Sequence, residues 1–209
     1  MGQFYSRQFS NSFTDSMKPR LVVRSHASQI LSLAIVACFV FANSLGAGLR
    51  TGEVYALNFV DLNGRRLLTN DGHVTVVVLT THADISRAQV VGARVPDYCL
   101  GNPVYRMITV MNFGRRYGTF ARTIATSLIR HRINIEAAQL QRRYDVRGIR
   151  KDAHRDVFVI ADFDGTIAQR LATRPDAAAF GVFVFGRDGE LLRQWEDVPT
   201  AADLAAVVK

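Results

Sequence analysis

"VTVVVLTTHADISRAQVVGARVP", residues 74–96, is the stretch on which the fold turns. From Val74 to Thr81 nearly every residue is β-branched or Leu. A run without polar alternation is what a central strand covered on both faces requires. The pattern then changes. Asp84 can cap a helix that Pro96 and Asp97 close. A buried strand feeding directly into a helix belongs to an α/β layered domain.

The flanks extend this reading. "EVYALNFVDLNGRRLLTNDGH" (residues 53–73) alternates around Asn63-Gly64, a hairpin signal. "YRMITVMNF" (105–113) reads as a strand. Phe120, Ala121, Ile124, Ala125, Leu128 and Ile129 then share one helical face. Asn134 can cap a second helix, with Ala137, Leu140 and Tyr144 inward, Arg142 and Arg143 outward, and Gly148 at its end. "VFVIADF" is a strand and "TIAQRLATR" (166–174) a short helix. "FGVFVFG" and "ELLRQWE" are strands joined at Arg187–Gly189. "TAADLAAVVK" closes the chain as a helix with Leu204, Val207 and Val208 inward. The order predicts an α/β fold with a mixed central sheet.

The amino terminus has a different character. Ile30 to Leu49 carries no charge and follows a basic flank holding Lys18, Arg20 and Arg24. That order, with small residues near Val40–Ala42 and Leu45–Ala47, describes a secretory signal. An uncleaved anchor is the alternative, and "IVAC", ending at Cys38, resembles a lipoprotein box. Met17 is a second candidate start. The expected division is residues 1–47 as signal or anchor and 48–209 as the domain, exported to a periplasmic or extracellular compartment. The net charge is +8. Four basic residues and only one acid precede Leu45, so the remainder is mildly basic, and nucleic acid is not expected as a partner. Membrane contact is expected only through the amino-terminal segment. The chain has two cysteines, Cys38 and Cys99. Cys99 is therefore alone after the apolar segment and cannot close a disulfide within the domain.

"NFVDLNGRRLL", "VTVVVLTT", "VFVIADFDGTIAQRLA" and "FGVFVFGRDGELLRQWEDV", in this order and spacing, resemble the exported thiol–disulfide and alkyl-hydroperoxide-reductase-like group of the thioredoxin fold. The resemblance covers residues 53–209. It implies a three-layer domain with an amino-terminal hairpin and, in this chain, an extra helix in the middle connection. Members of that group carry two cysteines, two residues apart, where the central strand meets its helix, and a cis-proline before the last hairpin. Here the junction reads "THADISRA" (81–88) and the later loop "DAAAFG" (176–181), with neither cysteine nor proline. The expected function is a binding or scaffolding module without the redox dithiol. A one-cysteine, peroxiredoxin-like protein using Cys99 is the alternative.

Candidate chemistry is sparse. His82, Asp84 and Ser86 stand where the resemblance places the reactive pair, at a helix amino terminus that favours anions. Cys99 lies at the opposite end of that helix, and a reactive thiol needs a nearby cation such as Arg106. "DFDGT" (162–166) resembles the first motif of the haloacid-dehalogenase-like phosphatases, in which the first Asp attacks phosphorus. Only 43 residues follow Thr166, and their one lysine is Lys209. The plainer reading is a strand entering an Asp-Gly turn, with Asp164 or Thr166 capping the next helix. The basic stretch from Arg142 to Arg155 is a solvated face, or a surface for a protein or anionic partner. His73, His131 and His154 lack metal-ligand spacing. No cofactor is implied.

Overall fold

Seven consecutive buried residues, Val74–Thr80, form the central strand β3. Its backbone has no water to pair with, so both edges must be met by other strands. β4 (Tyr105–Asn112) pairs with it in parallel and β6 (Gly181–Phe185) antiparallel. β5 (Phe158–Asp162) adds in parallel beyond β4, and β7 (Leu191–Trp195) antiparallel beyond β6. The sheet order is β5-β4-β3-β6-β7. A separate antiparallel pair, β1 (Asn58–Val60) and β2 (Arg66–Leu68), flanks the turn at Asn63-Gly64. These coordinates are a computed structural model, which describes residues 48–114, 118–171 and 180–209. The described residues belong to one compact unit, Ala47–Lys209.

Parallel neighbours need a crossover. α1 (Ile85–Arg94) and a 3-10 turn (Asp97–Cys99) connect β3 to β4. α2 (Thr119–Val146) and a second 3-10 turn (Ala153–Asp156) lie between β4 and β5, and α3 (Thr166–Leu171) follows β5. α4 (Ala201–Val207) closes the chain behind a capping box made by Thr200 and Asp203. One sheet face, with Val77, Leu79, Ile108, Val110 and Phe183, packs on Phe59 and Leu67 of the hairpin and on Ala168 and Leu171 of α3. The other face, with Val76, Val78, Val182 and Val184, packs on Ala88 and Val91 of α1 and on Leu204 and Val208. Ile129 and Ile133 of α2 join that face at Met111 and Val159. Three layers and the parallel–antiparallel strand order make this a thioredoxin-like α/β fold.

The connection between β4 and β5 differs from the two helices expected. α2 is a single helix of 28 residues, not two. Asn134 sits in its middle, exposed. Its Oδ1 lies 2.8 Å from His154 Nε2, so the side chain serves a tertiary contact instead of a cap. The buried line is Ile129, Ile133, Ala137 and Tyr144. Phe120, Ile124 and Leu128, which share a face with Ile129 in the helical projection, stay exposed.

Two polar clamps fix the hairpin to the sheet. The buried Asp61 carboxylate accepts from Asn63 N and Arg65 N, and from Arg65 Nε at 2.6 Å. Arg65 in turn donates to Arg155 O and Val157 O and lies over the Phe158 ring. Leu62 N donates to Val159 O. The outer edge of β5 is thereby covered, which an unpaired edge strand requires. On the hairpin's far side, buried Arg106 of β4 donates to Thr75 Oγ1, to both Asp71 carboxylate oxygens and to Leu68 O. The Arg187–Gly189 turn closes against Tyr55. Gly189 has φ +91°, and a Cβ there would stand 2.5 Å from Tyr55 O.

Asp61→Ala leaves two backbone N–H groups and Arg65 Nε without their acceptor. The expected loss is about 2–4 kcal/mol of unfolding free energy in urea titration. A change below about 0.5 kcal/mol would show that the clamp does not hold the hairpin.

Candidate functional site

β3, β4 and β5 run parallel, so their carboxyl ends open on one edge of the sheet. Ligands of open α/β sheets bind outside that edge. The chain places Thr81–Ser86, Phe113 and Asp162–Thr166 there, after β3, β4 and β5 respectively.

The β3–α1 junction is tied by charge. Thr81 Oγ1 donates to Asp84 Oδ2 at 2.9 Å, and Arg87 Nη1 donates to Asp84 Oδ1 at 3.3 Å. Arg87 Nη2 donates to Asp197 Oδ1 at 2.8 Å, and the guanidinium lies 4.0 Å from the centre of the Phe180 ring. Arg87 therefore bridges the start of α1, the residue before β6 and the segment after β7. Its guanidinium, with the Val198 N–H, holds the Asp197 carboxyl below its ordinary range. Asp84 stands at the N-cap position, but its side chain makes no capping bond. His82 and Ser86 are exposed beside it. Arg87, which fixes the geometry here, was absent from the sequence-based candidates. Its three-residue spacing from Asp84 was the available signal.

Cys99 lies in the 3-10 turn after α1, about 15 Å of helix from that junction. Its residue surface is 7% exposed. Burial pushes its thiol up to about 11. Arg106, the candidate cation, is engaged by Asp71, Thr75 and Leu68 instead. A nucleophilic thiol needs the thiolate and access; burial disfavours the first at Cys99 and restricts the second.

"DFDGT" is a capping module for α3. Asp162 is 2% exposed, and its Oδ2 accepts from Ala168 N at 2.7 Å. Asp164 Oδ1 accepts from Thr166 N and from Thr166 Oγ1. The two carboxylates thus take up N–H groups that the first turn of a helix leaves unpaired. Gly165, at φ +75°, makes the turn from Asp164 into α3. Burial raises the Asp162 carboxyl, while the Thr166 bonds hold Asp164 down to about 2. Its burial and its bond to Ala168 N commit the Asp162 carboxyl to the start of α3. Among the described residues no group of three or more His, Cys, Asp or Glu is placed to hold a metal ion.

The basic stretch is largely paired. Arg143 and Arg147 both meet Asp97, Lys151 meets Asp156 at 2.7 Å, and Arg155 meets Asp152 at 3.9 Å. Arg142 and Arg150 remain exposed at the end of α2 and just beyond it. Residues 176–179 of the loop before β6, and the amino-terminal segment through Ala47, lie outside the described residues. No helix among the described residues is long and apolar enough to cross a membrane.

The class defined by this strand order and layering is the thioredoxin-like fold. No family model matches the chain, and no curated protein is matched. Solved structures similar to it include three with names of that class. An exposed lipoprotein thioredoxin of Streptococcus pneumoniae is 11% identical, with a TM-score of 0.46, over 74% of this chain and 98% of that one. A secreted thiol-disulfide isomerase of Corynebacterium glutamicum is 12% identical, with a TM-score of 0.46, over 75% and 83%. A peroxiredoxin-like protein of Aquifex aeolicus is 13% identical, with a TM-score of 0.42, over 78% and 90%.

Two outcomes follow from these environments. At pH 8, iodoacetamide should alkylate native Cys99 about a hundredfold more slowly than the urea-unfolded chain, read by mass spectrometry of the Cys99 peptide. Similar rates in the two states would show an open thiol. For Asp162, a raised folded pKa means that its stabilising contribution is complete below the unfolded pKa and is lost as pH rises through the folded value. Asp162→Asn should therefore be at least as stable as the parent at pH 7, with any gain vanishing below about pH 4. Denaturation at the two pH values checks this, and a loss at pH 7 would contradict it.

Proposed function

We propose that residues 48–209 form an exported thioredoxin-like domain that acts by binding, as a scaffold or partner-recognition module, and not by dithiol exchange. The observation that carries this reading is the state of Cys99. It is the one sulfhydryl after Cys38, and it is buried, cation-free and raised to about 11. Disulfide exchange proceeds by thiolate attack, and release of the mixed disulfide needs a second sulfur. The β3–α1 junction carries Thr81, His82, Asp84 and Ser86 in place of sulfur. His82 and Ser86, exposed around the Asp84–Arg87 pair, are the residues we assign to partner contact at this edge. Arg142 and Arg150 supply a second, cationic surface suited to an acidic protein partner or another anionic one. Export is proposed from the basic flank and uncharged run before Leu49.

Insulin disulfide reduction tests the proposal. Turbidity should develop at the rate of a control without protein. Reduction above that rate, abolished by Cys99→Ser, would replace the binding reading with a one-cysteine redox function.

A further inference from the structure

Between α1, α2 and the sheet lies a cavity of about 290 Å³. It separates two groups of core residues on the same sheet face, those under α1 and α4 and those under the middle of α2. Its floor is β4, where Met107 and Thr109 are only half-buried although the strand is internal to the sheet. Its walls include Ala88 and Gly92 of α1, Ile133 of α2, and Cys99.

Gly92 keeps this space open. It lies inside a helix, where glycine is unfavourable relative to alanine. Neither a positive φ nor crowding calls for glycine there. A Cβ would meet Met107 Cε at 3.6 Å and Sδ at 3.7 Å, which is ordinary contact.

The polar lining is specific. Gln89 Nε2 donates to Glu136 Oε1 at 2.5 Å. Arg132 Nε is buried, lies 3.2 Å from the same oxygen, and has no hydrogen bond aligned with it. Glu136 thus serves two partners with one oxygen, and the Arg132 Nε–H is left without an aligned acceptor. The Arg132 side chain is 38% exposed, so its guanidinium stands at the rim of the chamber, where it is suited to a planar carboxylate. A small pocket with an apolar body and few placed polar groups is the usual form of a ligand site.

We infer that this cavity binds a medium-chain amphiphilic carboxylate, its alkyl chain on Met107, Ala88 and Ile133 and its head on Arg132. At about 30 Å³ per methylene-sized group, the volume holds about ten non-hydrogen atoms, the carbon chain of a ten-carbon ligand, with the head oxygens at the rim on Arg132. This goes beyond the proposed binding role and does not depend on it, because insulin reduction decides the one and ligand titration the other.

Calorimetric titration of the full chain with decanoate, decanol and decyltrimethylammonium tests the inference. Decanoate should bind one to one, about tenfold or more tighter than the cation. Arg132→Gln should remove the preference for decanoate over decanol while leaving decanol binding in place. Gly92→Leu puts four non-hydrogen atoms into a chamber that holds about ten, too little room then remaining for a ten-carbon chain, and it replaces a helix glycine, so the fold should persist by circular dichroism while binding of all three is lost. In a Cys38→Ser background, decanoate should also slow alkylation of Cys99, which shares the chamber. Absence of saturable binding, equal binding of cation and anion, or decanoate binding that survives folded Gly92→Leu would each overturn the assignment.

Discussion

Everything in this domain follows from the need to pair both edges of β3 inside an apolar interior. Val74–Thr80 is buried along its whole length, so no backbone amide there has recourse to water. The parallel partner β4 requires a crossover over one face, which α1 supplies. The antiparallel partner β6 comes from the far end of the chain and brings the β6–β7 hairpin with it. The hairpin β1–β2 covers the remaining face, held by the Asp61–Arg65 and Asp71–Arg106 pairs. Burial of the strand thus sets the layers, and the layers set which residues meet at the carboxyl edge.

At that edge the chain carries ionic and capping chemistry in place of sulfur. Arg87 joins Asp84 to Asp197 and rests on Phe180, so three segments converge on one guanidinium. One strand-end away, Asp162 and Asp164 cap the start of α3. Both arrangements hold loops in place. Neither presents an activated nucleophile, which is why binding is the role we assign to the domain.

Much of the fold was legible because its signals are local. The unbroken run of β3, the Asn63-Gly64 and Arg187–Gly189 turns, and the Leu204 and Val208 pattern of α4 each depend on near neighbours in sequence. Asp164 of "DFDGT" was readable as a cap for the same reason; the bond of Asp162 to Ala168 N, six residues on, was not. What escaped reading depends on distant partners. Asn134 looks like a cap until His154 is placed beside it. Phe120, Ile124 and Leu128 mark a helical stripe, yet α2 docks along Ile129, Ile133 and Ala137, where Met111 and Val159 wait. The partners of Arg87 and Arg106 are hidden in sequence, since Asp197 lies 110 residues from one and Asp71 lies 35 from the other, so Arg106 was assigned to Cys99 instead. The cavity at Gly92 is a property of how two helices share one sheet face, and no single segment encodes it.

The central claim is that the domain keeps the thioredoxin-like frame without a thiol able to exchange. Equilibration of the native protein with oxidised glutathione near pH 7.5, followed by peptide mass mapping, tests it most directly. The account predicts that Cys99 remains a free thiol, with no glutathione adduct on its peptide unless the chain is first unfolded. A native protein that carries glutathione on Cys99 in stoichiometric yield would contradict it.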